Sequence, residues 1–380
     1  MLFEPTRAEG LARMATFVPR AGKSYQERRN FDLDEAQISA VSQLSPWLRH
    51  HLISEQEVLT SALEQHNFQT AIPYVQQVFW RGYFNGWLEQ HPTVWTSYKA
   101  QLAKAQQNQN HDYAEAIAGQ TGILCFDHWC NTLKDEGYLH NHARLWFASI
   151  WIFTLRLPWE LGAAFFLEHL HDGDPASNTL SWRWVAGLHT KGKNYVATAD
   201  NIEKFTDGKF RPTGQLAHAP APLVEVEEHL MVPLALTRNK PNKSHLLVIT
   251  EEDCLAGVKT HPLCSGIFGL VSPDASHFAQ RAVQNTVADL GGHTYVGHHW
   301  STEIARAAKN VQTTNVVTSY IPVGHVSDGM VVAKNNLKGH GIQLTMSTRQ
   351  YDLQVWPNAT KGFFRLKKKI PNILEALNIG

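Results

Sequence analysis

The chain has 380 residues and a mass of 42.8 kDa, too long for one ordinary domain and comfortable for two. Hydrophobic residues make up 43% and charged residues 18%, a balance that supports a sizeable core and excludes a disordered chain. Lys and Arg together number 34, as do Asp and Glu, which argues against a polycationic nucleic-acid coat while leaving room for a local basic groove.

Residues 1–208 read as helical. Ser54 is placed to cap an amphipathic run over 55–65. Apolar or aromatic residues at 74, 75, 78, 79, 83, 84 and 87 repeat at the helical period and predict a helix over 74–88. Helices are expected over 93–105 and 125–133, with a polar loop over 106–111. The stretch 143–155 is apolar nearly all round and predicts a central helix, ended by Pro158. A further helix spans 159–169. Residues 209–244 carry Pro212, Pro220, Pro222, Pro233 and Pro241 with little periodicity and read as an extended connector. Residues 245–380 read as α/β: strands over 245–250, 266–271, 316–321 and 342–346 alternate with helices over 276–290 and 329–337. That alternation implies a mostly parallel sheet. No phosphate-loop or G-x-G-x-x-G motif is present.

The cysteines, at 125, 130, 254 and 264, have neither metal-finger spacing nor the look of a secreted disulfide framework. No apolar leader is evident near Arg7, Arg13 and Arg20, and the apolar stretch 145–155 is too short to span a bilayer. A cytoplasmic protein without a membrane partner is expected.

Nine of the twelve tryptophans fall between Trp80 and Trp184. They make either a large aromatic core or the surroundings of a planar cofactor and an electron relay. Polar residues are densest between Tyr138 and Trp184. Arg144 opens the most apolar helix, and a buried guanidinium needs a partner, for which Asp172 and Asp174 are the nearest candidates. Asp174-Pro175 also fits a helix cap followed by a first-turn proline. His140, His142, His169, His171 and Asp172 permit a mononuclear metal reading, but their spacing is poor for one helical face, and no metal is expected. There is no G-x-S-x-G elbow for a hydrolase. Ser42 and Ser45, before a helix start at Pro46, suit either a bound phosphate or plain capping by Ser45.

Taken in order, these motifs resemble the FAD-binding helical domain of the DNA photolyases and cryptochromes. The segments are Tyr25 with Arg28-Arg29-Asn30, Ser42-Gln43-Leu44-Ser45-Pro46, Trp80-Arg81 in its aromatic helix, and Thr121-Gly122 with Asp127. They continue with His140-Asn141-His142-Ala143-Arg144, Trp159-Glu160-Leu161-Gly162, and Asp172-Gly173-Asp174 leading through Asn178 to Trp182-Arg183-Trp184. The resemblance implies a large all-helical FAD-binding domain (1–208), a Pro-rich connector (209–244) and a smaller Rossmann-like α/β domain (245–380), a candidate antenna-like domain. It implies that Ser42, Gln43, Leu44 and Ser45 line the FAD diphosphate and that Tyr25 and Arg81 hold its phosphate and ribose side. Asn141, Arg144, Asp172 and Asp174 would edge the isoalloxazine, with Arg144 and Asp172 paired. Asn178 would face flavin N5 and tune the charge state of the reduced ring. Trp182 and Trp159 would be the inner members of an electron relay, with Trp129, Trp151 or a tyrosine as outer member. Trp80 and Trp184 would stack on an extruded base of damaged DNA.

The departures from the family pattern lie around the lesion pocket. Gln77 stands where dimer-repairing photolyases commonly have glutamate, and Tyr74 stands where that helix opens on tryptophan. His142 replaces an arginine and is a candidate proton donor. The α/β segment follows the helical one instead of preceding it. The implied activity is light-driven electron transfer from reduced FAD to a pyrimidine photoproduct, the alternative being a cryptochrome-like photoreceptor without repair. An antenna chromophore and a protein partner are left unassigned.

Overall fold

The computed structural model describes residues 3–33, 40–238, 241–257 and 261–380. It is a helical protein with one five-stranded sheet in its C-terminal part, the class expected: a helical FAD-binding region plus an α/β region. Among the described residues, no helix is long and apolar enough to cross a membrane.

The helices fall close to the positions read from periodicity. Glu55–Gln65 opens on a full capping box, in which Ser54 and Glu57 satisfy each other's backbone amides. Thr93–Gln106, Leu124–Glu136 and Trp159–His169 match the expected positions to within a turn. The 74–88 pattern is the central part of a longer helix, Phe68–Gln90. The central apolar stretch is α-helical only over Asn141–Ser149. It then widens to a π-helix over Ile150–Thr154, closed by Leu155 N–H to the Ile150 carbonyl (2.9 Å). The extra residue per turn changes which side chains face inward, an effect that residue spacing cannot announce.

The sheet is parallel throughout, in the order β3-β2-β1-β4-β5, with β1 His245–Thr250, β2 Cys264–Val271, β3 His293–Val296, β4 Asn315–Ser319 and β5 Gln343–Ser347. This is the doubly wound Rossmann-type strand order without its sixth strand. β1 is buried along its whole length, and it pairs with β2 (Leu247 opposite Ile267) and with β4 (Leu247 opposite Val317). In this part of the chain β3 and the helices Trp300–Asn310, Gln350–Val355, Phe363–Lys367 and Ile370–Ala376 escape the sequence reading. β3 is a four-residue edge strand, His-Thr-Tyr-Val, without the apolar run that marks the inner strands. The expected helix over 329–337 starts earlier, as His325–Gly339.

Packing groups the chain differently from its linear order. One compact unit comprises Met1–Gly22, Ser42–Gln90 and Met231–Gly380; the other comprises Lys23–Val41 and His91–Leu230. The boundaries at 208 and 245 therefore mark changes of secondary structure, whereas the packed units draw on separated stretches.

In the first unit, helices from 42–90 dock on the sheet region. Gly86 lies so close to Trp356 that a Cβ would meet the Trp356 Cα at 2.7 Å. At the carboxyl ends of β1 and β4, where the strand order reverses, doubly wound sheets usually receive a ligand. Here protein groups span that edge. Arg49 makes a buried two-pronged pair with Glu252 (2.7 and 2.8 Å), Ser319 bonds Asp253 (2.6 Å), and Tyr320 Oη bonds Glu89 (2.7 Å).

Burial pushes the Glu89 carboxyl up to about 7, against the pull of hydrogen bonds from Tyr320 and the Val323 amide. A carboxyl raised in the folded state binds its proton more tightly there than when unfolded. Stability is therefore lost as pH rises from the ordinary glutamate range through about 7. Glu251 is displaced the same way, also to about 7, mainly by burial. Thermal denaturation between pH 5 and pH 8 is expected to show falling stability, with on the order of 2–3 kcal/mol from Glu89 at most. Glu89→Gln should flatten that slope; a variant as pH-sensitive as the parent would refute the assignment.

Candidate functional site

The second unit brings together most of the polar residues singled out between 138 and 184. Arg144 lies in the first turn of Asn141–Ser149, and Asp172 lies in the turn after Trp159–His169. Arg144 donates to Asp172 Oδ2 (2.9 Å) and, through Nε, to the Leu139 carbonyl (2.9 Å). Its guanidinium also lies 5.4 Å from the centroid of the Tyr138 ring. Burial works against the arginine's charge, but the Asp172 carboxylate outweighs it and holds the proton more firmly than usual. The partner expected for Arg144 is thus Asp172. Asp174 instead caps the helix Pro175–Ala186, accepting the Ser177 amide at 2.7 Å.

The second oxygen of Asp172, Oδ1, is buried and has no hydrogen-bond partner. A buried acceptor left open beside a fixed cation is costly unless a ligand completes it. It suits a polar ring edge carrying an N–H, as the isoalloxazine does, so the residues present fit FAD. Asn178, in the same helix, is buried and donates Nδ2 to the Ala163 carbonyl (2.8 Å), which fixes its rotamer. Asn141 begins its helix and is exposed. Tyr25 is buried, and burial pushes its hydroxyl up to about 12, so it is a neutral hydrogen-bonding group.

His140 and His142 are committed to hydrogen bonds within the protein. His140 accepts the His142 amide through Nδ1 (3.2 Å) and bonds the Arg29 carbonyl through Nε2 (3.1 Å). That pattern requires the neutral ring, in keeping with a value lowered to about 4, chiefly by burial. His142 is also turned to structure. Its Nδ1 lies 2.7 Å from the Asn30 carbonyl and is therefore the protonated nitrogen, and its ring stacks on Trp146 at 5.1 Å. Burial lowers its pKa, which makes it a poor cationic proton donor at neutral pH. The single candidate metal cluster among the described residues is the exposed group His111, Asp112 and Glu115, away from the histidines weighed from the sequence.

The tryptophans expected to relay electrons occupy adjoining helices. Trp182 is buried among Phe166 (5.1 Å), Trp151 (6.2 Å) and Phe147 (6.5 Å), with its indole N–H unpartnered. Trp159 packs on Tyr98 (5.5 Å), which packs on Trp95 (5.3 Å). Tyr98 had no distinguishing signal in the sequence; only its placement beside Trp159 singles it out. Arg183 lies 5.9 Å from the Trp159 ring and is paired with Glu225 (2.7 Å). Trp129 stacks instead on Trp146 (5.3 Å).

Gly162 is what admits Trp182. A Cβ there would meet the indole at 2.3 Å. Gly162→Ala is expected to displace the Trp182 ring and destabilise the unit by about 1–3 kcal/mol through overpacking. Near-ultraviolet circular dichroism and thermal denaturation would register both effects, and an unchanged spectrum would show that the ring had not moved.

All but one of the remaining predicted residues lie in the first unit. Ser42 Oγ accepts the Leu44 amide at 3.4 Å, and Gln43 adopts a left-handed φ of 52° while its Oε1 accepts from Arg13 (2.9 Å). The short helix Ser45–Arg49 has Leu44 at its cap position and no side-chain cap, so capping by Ser45 is not observed. Arg81 is committed within the unit, to Glu55 (2.9 Å) and the Arg49 carbonyl (3.3 Å). Tyr74 is buried against Phe17 (5.1 Å), while Gln77 is half-buried. Trp80 stacks face to face on Phe363 at 3.8 Å, so one face of a ring expected to receive a base is already covered. Trp184, in the second unit, is partly exposed and stacks on Tyr195 (5.8 Å).

A bundle with an apolar aromatic interior, an Arg–Asp pair on a buried carboxylate and an open acceptor fits a helical domain that binds a planar cofactor. Residues 74–217 match the family described as the FAD binding domain of DNA photolyase. The chain is 30% identical over 200 residues to the deoxyribodipyrimidine photo-lyase of Streptomyces griseus, covering 49% of this chain and 44% of that protein. It is 29% identical over 220 residues to that of Agrobacterium fabrum, covering 55% and 45%. Among solved structures, a bacterial class III photolyase from Agrobacterium tumefaciens is similar at 27% identity and a TM-score of 0.45, covering 53% of this chain and 42% of that one. The chain spans about half the length of the curated relatives it matches. Residues 74–217 are thus similar to the FAD-binding domain of DNA photolyase, and FAD is the cofactor to which that similarity points.

Proposed function

We propose that this protein repairs a pyrimidine photoproduct in DNA by light-driven electron transfer. When bound, reduced FAD supplies the electron on blue-light excitation. The observation that carries the reading is the Arg144–Asp172 pair, its carboxylate buried and its guanidinium partly exposed, with Asp172 Oδ1 left open as a ready acceptor for a flavin N–H. Tyr138 covers the guanidinium and helps exclude water from the pair. Asn178, whose rotamer is fixed by its bond to the Ala163 carbonyl, would supply a polar group at flavin N5. Trp182 and Trp159 would pass electrons inward, with Tyr98 in the outer place. Similarity to photolyases over about half the chain favours damaged DNA as the partner.

One observation favours a second reading, a cryptochrome-like photoreceptor without repair: Phe363 already occupies a face of Trp80. The test begins with the absorption spectrum of the purified protein, which should show oxidised flavin. Trp182→Phe should slow its photoreduction at least tenfold. The loaded protein is then assayed on cyclobutane and 6-4 photoproducts under blue light. Repair of neither, with flavin bound and reduced, would remove the leading reading. Tight, salt-sensitive preference for irradiated DNA would count against the photoreceptor.

A further inference from the structure

The connector residues 223–229 form a strap with three regularly spaced anchors in the second unit. Glu225 pairs with Arg183 (2.7 Å), Glu227 accepts from Ser97 Oγ (2.6 Å), and His229 Nδ1 meets Thr93 Oγ1 (3.0 Å). Ser97 and Thr93 are one turn apart on the helix Thr93–Gln106, a rise of about 6 Å. Two residues of extended chain cover about 6.6 Å. The match between one helical turn and a two-residue step places the strap in β-like conformation, running antiparallel to the helix. The residues between the anchors point away: Val224 is 89% and Val226 95% exposed.

The backbone of this strap is unused. Leu223 N–H bonds the Ala186 carbonyl, but among the described residues no amide from Val224 to Leu230 donates to another protein group. A groove of about 780 Å³ runs alongside, lined by strap residues 223–227 and by residues 156–160, including Leu157, Pro158 and Trp159. Extended backbone with free donors, exposed valines at 224 and 226 and an adjoining groove of mixed apolar and acidic lining together make an open strand edge.

We propose that this edge binds an extended segment of a partner protein that alternates apolar with Lys or Arg side chains, added as a β-strand in the groove. Charge selects this occupant. Residues 220–230 contain Glu225, Glu227 and Glu228 and no Lys or Arg, and Glu160 lines the same groove against a single Arg156. Nucleic acid is repelled there, and a second copy of the strap would set glutamates against glutamates. The inference does not depend on the flavin reading.

The test uses the full chain and two short synthetic peptides, one alternating valine with lysine and the other valine with glutamate. The basic peptide is expected to bind at least tenfold more tightly than the acidic one. It should slow hydrogen exchange at alternate amides within 224–229, a two-residue period that non-specific burial does not produce. Val226→Lys, at a side chain already in solvent, should weaken binding of the basic peptide at least tenfold and leave flavin absorbance unchanged. Equal binding of the two peptides, or protection outside the strap, would overturn the proposal. So would concentration-dependent dimerisation that protects the strap without peptide, since the occupant would then be a second copy.

Discussion

Replacing Arg144 with methionine is expected to cost about 3–5 kcal/mol of stability and to strip the protein of flavin. The Asp172 side chain is only 6% exposed, and its Oδ2 has Arg144 as hydrogen-bond partner while Oδ1 has none. Removing the guanidinium leaves a buried carboxylate without compensation and takes the Nε donor from the Leu139 carbonyl. The double variant Arg144→Met/Asp172→Asn removes both charges and should recover most of the lost stability. It should not recover the cofactor, because neither the cation nor the charged acceptor is restored. Thermal denaturation reads the first effect, and flavin absorbance per mole of protein reads the second, with at least a tenfold loss expected in both variants. If flavin returned with stability in the double variant, the pair would be structural only, and the flavin assignment of Asp172 would fail.

The corresponding experiment in the first unit is Arg49→Met. Arg49 and Glu252 are 3% and 6% exposed and share two parallel hydrogen bonds. Glu252 follows β1 directly, and its carbonyl also meets His51 Nδ1 (2.8 Å). His51 is kept neutral, by burial first and by Arg349 and Arg81 next, so it cannot replace the lost cation. The loss of one partner is again expected to cost about 3–5 kcal/mol. It should appear as faster hydrogen exchange across β1, the fully buried central strand. Arg49→Met/Glu252→Gln should restore most of the protection. A single variant with unchanged β1 exchange would show that the pair adds nothing to the sheet.

Both pairs bear on what could be read from residues alone. Arg144 demanded a partner because it opens an apolar helix, and the choice between Asp172 and Asp174 was open. Local chemistry then separates them: Asp174 precedes a proline and a free first turn, so its carboxylate is drawn to the Ser177 amide. Arg49 and Glu252 gave no such signal, being about two hundred positions apart in unremarkable contexts. His142 looked chemical because it replaces an arginine, and only its bond to Asn30 and its stacking on Trp146 show it as packing. Arg81 was assigned to a phosphate on its motif, while its described bonds go to Glu55 and Arg49.

The sequence by itself determined the helices near 55–65, 74–88, 93–105 and 159–169, the inner strands and the family resemblance, because each rests on local periodicity, capping or motif order. The capping box at Ser54 and the buried run of β1 need nothing beyond their neighbours. Only the tertiary structure decided which segments pack together, which arginine meets which carboxylate, that Tyr98 lies beside Trp159, and that Gly162 makes room for Trp182. The reason is physical. Periodicity records which side of an element is buried, whereas contacts between distant segments depend on shape and charge that meet only after the chain has folded.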